Sequence, residues 1–587
     1  MSLWFARRII DLVGALYDLF NERRFGTLTP HLGQPDLESD RDRRFIIIQI
    51  DGLAYDYLRQ AIETGYMPHL ARLEAGGELE ISAWRSGLPS TTPAFQAGMM
   101  FGNRYDIPGF RWYEKDRERA VVVKRPDQAR ELRERVSDGR RGILEGGSCY
   151  VSIFDGDASV ALFTLSALAQ QRFFESVKGL GLLLLFLGSP LRLLKVVGLT
   201  LSQYLRSLVR RIRVLLRPSR FEPFDRPSLF TAFSDALFIE TQTFCVVLDI
   251  YRQAPAIYAN YNNYDEAAHK SGSGDRVAFR QLRAIDKRIR QIDRMRKRYP
   301  DRQYDLYVLS DHGNTPAATF SRQTGRSLAQ YIRERIGDPQ GPGGEPNARI
   351  DAPDKMPYLS RELEQLADVA SPRLCRALRI IRRFMEERAL RGAGALGERV
   401  ADYDMRRQRD VVVRASGSLA HVYFNVASRP LDLIEVMVMY PRLIDDLLMT
   451  AGIGALIGRA GGRTIVFGRQ GGSMVIGDDL QTLALESPHP LTSFGAADYV
   501  TAQVHQLVHF PHAGDVVILG AVDDRGAVVT FEEQAATHGA VGGVQDRPFI
   551  ARPPGAPPLP SPLDDPLALY PYFRRYLDGP SEPLVAE

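Results

Sequence analysis

Cysteine is scarce. Only Cys149, Cys245 and Cys375 occur in 587 residues, far apart and with no Cys-x-x-Cys pair. That excludes a disulfide framework and a thiolate zinc site, and Cys245, inside an apolar run, reads as plain core. A membrane-spanning run is missing as well. Gly179 to Leu191 is almost wholly apolar, but Gly188-Ser189-Pro190 ends it short of the roughly 20 residues a spanning helix needs. The first twenty residues do not make a secretory signal, because Arg7, Arg8, Asp11 and Asp18 interrupt them and no small-residue cleavage site comes after. Net charge is only +4, so nothing global favours nucleic acid, and no such binding is expected. There is no internal repeat. With 44% hydrophobic and 25% charged residues, the composition is that of an ordinary globular protein. The length implies one large domain with insertions, or two to three domains.

Against these absences stand three aspartates at informative places. Asp51 ends Phe45-Ile46-Ile47-Ile48-Gln49-Ile50-Asp51-Gly52, and Asp311 ends Tyr307-Val308-Leu309-Ser310-Asp311-His312-Gly313. Asp265 opens Asp265-Glu266-Ala267-Ala268-His269 just after an apolar stretch. An apolar run stopping abruptly at Asp-Gly or Asp-His-Gly predicts a buried parallel strand that delivers ligands to the carboxyl edge of a sheet. The Asp-x-x-x-His spacing puts Asp265 and His269 one helical turn apart, able to converge on one ion. Carboxylate and imidazole together suit a divalent metal such as zinc or manganese.

In chain order, residues 1–44 read as an amphipathic helix (Trp4, Ile9, Val13, Leu16 and Phe20 on one face) and a polar linker. A βα pattern begins with a strand at 45–50 and a helix over Tyr55–Ala75. Strands come next at Ser148–Phe154, Val160–Leu165, Thr243–Leu248 and Ile257–Tyr261, then a charged helix over Arg276–Tyr299. Residues 173–221 interrupt the pattern as an apolar and basic insertion. From Leu191 to Arg220 it carries Arg192, Lys195, Arg206, Arg210, Arg211, Arg213, Arg217 and Arg220 and no acid. This predicts an interfacial element on an anionic membrane surface, against the alternative of a helical cap packed on the protein. Residues 321–414 read as a polar helical cap. Strand signals return at Ala420–Asn425, Thr464–Gly468 and Asp515–Gly520, and 550–587 reads as a proline-rich tail. The expected core, 45–320 with 415–549, is a doubly wound, mostly parallel α/β sheet flanked by helices.

The loop Leu88-Pro89-Ser90-Thr91-Thr92-Pro93 leads into Ala94 to Gly102. Ser or Thr before Pro is a common helix start, and a hydroxyl there is also placed to meet an anionic phosphate at helix amides. Taken together, these motifs resemble the alkaline phosphatase superfamily, and within it the type I phosphodiesterase/nucleotide pyrophosphatase branch, from about Phe45 to Phe549. The resemblance implies Thr92 as nucleophile. It implies one metal on Asp51, Asp311 and His312, and a second on Asp265, His269 and a late histidine. His538, followed by Gly539, is the choice for the last ligand, with His505, His509 and His512 as rivals assigned to strand edge and loop. The family's phosphate-binding Asn is missing: Trp112 stands at its position, and Arg111 beside it is the substitute substrate contact.

The activity implied by the resemblance is that of a phosphohydrolase with two divalent ions, zinc or else manganese. These hold the attacking and leaving oxygens while Thr92 attacks phosphorus. The substrate is a phosphoester, nucleotide or lipid-linked. A sulfatase is disfavoured, since the Cys/Ser-x-Pro-x-Arg pattern is missing. A lipid-headgroup phosphotransferase and an inactive membrane scaffold are the alternatives. The expected location is peripheral or monotopic, on the cytoplasmic face of a membrane.

Overall fold

The computed structural model describes residues 43–168, 186, 190–216, 229–337 and 411–578. The N-terminal amphipathic helix, most of the apolar run 179–191, Arg217, Arg220, Cys375, most of the 321–414 cap and the last nine residues lie outside them.

A seven-stranded sheet organises the first half. Its strands run, edge to edge, Glu80–Ala83, Phe549–Arg552, Tyr304–Leu309, Arg44–Ile50, Ala256–Tyr261, Ser148–Ser152 and Val160–Thr164. The five strands from Tyr304–Leu309 to Val160–Thr164 pair in parallel, and the Phe549–Arg552 strand runs antiparallel at one side. All seven residues of Arg44–Ile50 are buried, as a strand covered on both faces requires. Alternation divides them between two layers. Ile46, Ile48 and Ile50 pack with the helices Tyr55–Glu63, Pro68–Ala75, Leu229–Arg252 and Arg276–Arg298. Phe45 and Ile47 pack on the other face with Thr92–Phe101, Pro126–Ser137 and Leu569–Asp578. The expected α/β architecture is therefore present, with helices on both faces.

Four expectations need correction. Thr243–Leu248 is not a strand but the middle of the 24-residue helix Leu229–Arg252. Residues 236–250 are buried on every side, and a segment covered all round shows no period that separates helix from strand. The helix expected over Tyr55–Ala75 breaks into Tyr55–Glu63 and Pro68–Ala75, with Gly65 at φ +73° and Pro68 opening the second. Proline is tolerated there because the first turn needs no donor. His505 lies within the helix Ala497–Val508 and His509 caps it, rather than forming a strand edge. Residues 569–578 form a helix, not a loose tail. Phe573 lies 5.3 Å from the Phe45 ring, and the Tyr307 hydroxyl meets those of Tyr572 and Tyr576 at 3.0 and 2.6 Å.

A second seven-stranded sheet, antiparallel throughout, spans 411–520 in the order Val411–Ser416, Leu419–Phe424, Val516–Gly520, Ile453–Ala460, Arg463–Gly468, Ser473–Ile476 and Thr482–Glu486. Its first hairpin turn, Gly417-Ser418, abuts the backbone of His538.

Candidate metal and nucleophile site

The central parallel strands stop at one edge, and the chemistry collects there. Asp51 comes directly after Ile50, and Asp311 lies two residues beyond Leu309, which ends the neighbouring strand. The register aligns Ile50 with Tyr261 and Gln49 with Leu309, so both carboxylates emerge at one level. Gly52, at φ +70°, passes so near Asp265 and Asn314 that no side chain fits, and its amide donates to Asp311 Oδ1 at 3.1 Å.

Thr92 opens the helix Thr92–Phe101, whose ten residues are all buried. Gln96 locks that helix to the sheet. Its Nε2 donates to the Tyr258 hydroxyl at 2.9 Å, and its Oε1 accepts from Ser152 Oγ and the Ile153 amide, both at 3.0 Å. The Thr92 hydroxyl is thereby held 3.2 Å from His312 Nε2 and 3.5 Å from Asp51 Oδ1. His312 Nε2 is also 3.2 Å from Asp311 Oδ2 and 3.7 Å from Asp51 Oδ1.

The histidines share one arrangement. His312 Nδ1 is 3.2 Å from the Gly313 carbonyl, His269 Nδ1 is 2.8 Å from that of Ala536, and His538 Nδ1 is 2.9 Å from that of Ser90. A carbonyl only accepts, so each Nδ1 carries the proton and each Nε2 offers a lone pair. Those Nε2 atoms turn toward carboxylates: His269 toward Asp265 Oδ2 at 3.2 Å, and His538 toward Asp265 Oδ1 at 3.8 Å. The His312 and His538 rings stack at 3.7 Å, and those of His269 and His538 at 5.1 Å. Two donor groups result, Asp51 with Asp311 and His312, and Asp265 with His312 and His538, each with its ligand atoms within 4.8 Å of one another.

Burial sets the charge states. It lowers His312 to about 4 and His538 to about 3, so both imidazoles are neutral at pH 7. Burial raises Asp311 to about 6, and burial together with the Asp311 and Asp265 charges raises Asp51 well above the carboxylate range. For Asp265 burial acts upward too, but His269 and then His538, when protonated, outweigh it and pull the group down. Asp311 Oδ2, though buried, has no hydrogen-bond donor among the described residues. Crowded carboxylates, an orphaned oxygen and neutral imidazoles with inward lone pairs fit a divalent cation.

Two participants escaped the sequence reading. Asn260 Nδ2 donates to Asp51 Oδ2 at 2.7 Å. Asn314 Nδ2 donates to Asp265 Oδ1 at 2.7 Å and to the Gly52 carbonyl at 3.1 Å. Position was the available signal, since Asn260 lies on the strand beside Asp51 and Asn314 comes directly after Asp-His-Gly. Arg111 is buried in an ion pair with Glu532 at 3.5 Å, and Glu532 Oε2 accepts from the Gly417 amide behind His538. Trp112 is fully buried, its Nε1 donating to Glu114 at 3.4 Å. The rival histidines lie elsewhere: His505 and His509 share the Thr464 hydroxyl, and His512 Nδ1 bonds Asp106 at 2.6 Å.

Residues 201–387, less than half of the chain, match a family model described as type I phosphodiesterase / nucleotide pyrophosphatase. Over that stretch the chain is similar to the family. The matched stretch contains Asp265, His269, Asp311 and His312 and supports a phosphoester hydrolase. No curated protein sequence matches the chain. Among solved structures, phosphonoacetate hydrolase from Sinorhizobium meliloti 1021 in complex with phosphonoformate aligns over 91% of this chain and 96% of its own, at 13% identity and TM-score 0.44. Murine ectonucleotide pyrophosphatase/phosphodiesterase 5 aligns over 91% and 95%, at 8% identity and TM-score 0.42. These likenesses are too loose to transfer a substrate.

Proposed function

We propose that the protein is a metal-dependent phosphohydrolase that cleaves phosphodiester or pyrophosphate bonds through Thr92. The observation that carries this is the meeting, within hydrogen-bond range of one buried threonine hydroxyl, of a strand-end carboxylate and an imidazole whose far nitrogen is already committed to a carbonyl. Asp51, Asp311 and His312 would hold one ion, and Asp265, His269 and His538 the other, with zinc favoured by the nitrogen-rich second set and manganese the alternative. Bound there, divalent ions supply Lewis acidity toward phosphate oxygens.

The chain itself supplies the rest. Thr92 Oγ1 forms the bond to phosphorus as the bond to the leaving oxygen breaks, and its proton has an acceptor in Asp51. Water then hydrolyses the phosphothreonine. Asn260 and Asn314 keep Asp51 and Asp265 aimed inward. Arg111 and Trp112 remain proposed substrate contacts. The Glu532 pair adds a structural part for Arg111, so Arg111→Ala is expected to lower the melting temperature as well as turnover, by stranding a buried carboxylate. An unchanged melting temperature would remove that structural part. The whole reading is tested by turnover of aryl phosphate mono- and diesters with and without added Zn²⁺ or Mn²⁺; no turnover of any ester with either metal overturns it.

Proton competition gives a further expectation. As pH falls through about 6, Asp311 takes up a proton and a bound cation loses that carboxylate, while His312 and His538 stay neutral. Metal content after dialysis should therefore fall between pH 7 and pH 5. Constant loading across that range would contradict the role given to Asp311.

A phosphotransferase acting on lipid headgroups is the second reading, with a peripheral location at the cytoplasmic face of a membrane. It is favoured by one observation, the leucine-lined outer face of the helix Pro190–Leu216. Among the described residues no helix is long and apolar enough to cross a membrane.

A further inference from the structure

The 27-residue helix Pro190–Leu216 is built inside out. An ordinary surface helix buries its apolar stripe and shows its charges to water. Here two basic side chains are turned inward. Arg192 is 5% exposed with its guanidinium 4.1 Å over the Phe244 ring, and Lys195 Nζ lies 2.8 Å from Glu240 on the helix Leu229–Arg252. Glu240 in turn pairs with Arg288. These contacts fix which side of the helix meets the protein.

The opposite side carries Leu194, Val197, Leu201, Leu205, Leu208 and Ile212, between 37% and 66% exposed. Their spacing of three and four residues makes one continuous stripe over about five turns, ~27 Å long. A stripe of that length left in water is far from the scattered exposed leucines that need no explanation.

We propose that this face docks on an anionic phospholipid bilayer. Charge selects the occupant. Beyond the inward Arg192 and Lys195, residues 196 to 221 hold six more basic residues and no acid, on a protein whose net charge is +4. A second copy would bring two strongly basic helices together, whereas anionic headgroups neutralise them. The sequence immediately before the helix, Leu182 to Leu187, is wholly apolar, adding lipid-compatible chain at the same place. The helix lies in the headgroup boundary with its leucines in the acyl region. The docking stands apart from the hydrolase reading, because it is measured without substrate or added metal.

The experiment is flotation of the full chain with phosphatidylcholine vesicles containing graded phosphatidylglycerol, at low and high salt. The bound fraction should rise with phosphatidylglycerol and weaken with salt. A variant carrying Leu201→Glu, Leu205→Glu and Leu208→Glu, all at exposed positions, should lose vesicle binding by on the order of tenfold or more. It should keep the metal content and aryl-ester turnover of the wild type. A wild-type chain that stays unbound at low salt and high phosphatidylglycerol overturns the proposal. So does equal flotation of the triple variant. So does a wild-type dimer that the triple variant converts to monomer without any vesicle binding, which would make the stripe a contact between copies.

Discussion

Thr92→Ala is expected to keep the fold and the metal content while turnover falls by on the order of a thousandfold or more, the scale on which loss of a covalent nucleophile is felt. The substitution removes a hydroxyl and a methyl from the first residue of a helix that Gln96 anchors independently, so the backbone has no reason to move. Its two neighbours provide the control. Ser90 Oγ donates to the Ala540 carbonyl at 2.6 Å and accepts from the Gly539 amide, and the Ser90 carbonyl holds His538. Ser90→Ala should therefore loosen the His538 loop and weaken metal binding as well as rate. The Thr91 hydroxyl is buried with no hydrogen-bond partner among the described residues, so Thr91→Ala should be close to neutral. A nearly wild-type Thr92→Ala beside a dead Thr91→Ala would show the nucleophile to be one residue earlier.

Asp311→Asn and His269→Ala are each expected to cost about one of two bound ions and nearly all activity, with metal content read by elemental analysis after dialysis. Asp311→Asn keeps size and polarity but removes a charge at a position with no exposure. His269→Ala deletes a ligand nitrogen 3.2 Å from Asp265 Oδ2. The two should differ in the residual ion, since they strike different proposed ion sites. Full metal content in both variants would sink the two-ion assignment.

The strand-end aspartates were legible because a strand covered on both faces is mostly apolar, so an aspartate followed by Gly or His-Gly stands out at its end. Asp51 and Asp311 do so, and the structure brings them with Asp265, His312 and His538 to one edge of one sheet, with His269 against Asp265 and His538. The misreadings have an equally physical origin. Phe244 to Leu248 is apolar because a helix is wrapped by protein on all sides, and such wrapping erases the period that distinguishes helix from strand. The antiparallel sheet of 411–520 was seen only as scattered strands, since hairpin pairing is decided by partners that a linear reading does not supply. Asn260 and Asn314 gave no signal by residue type, because amides that steer carboxylates look like any other polar loop or strand residue until their partners are known.

The helix Leu569–Asp578 lays Phe573 against Phe45 and sends Tyr576 to the carboxylate of Asp305 at 2.6 Å. One wall of the central sheet is thus made from residues at the far end of the described chain. During synthesis the Arg44–Ile50 strand, already long emerged, must wait with that face covered only in part, by Thr92–Phe101 and Pro126–Ser137, and chain closure is costly in entropy over such a separation. A chain halted near residue 560 would present Phe45 and Tyr307 as a greasy scar, a handle for chaperones and a seed for aggregation. The wholesome fold is therefore licensed only when translation has run almost to the last described residue.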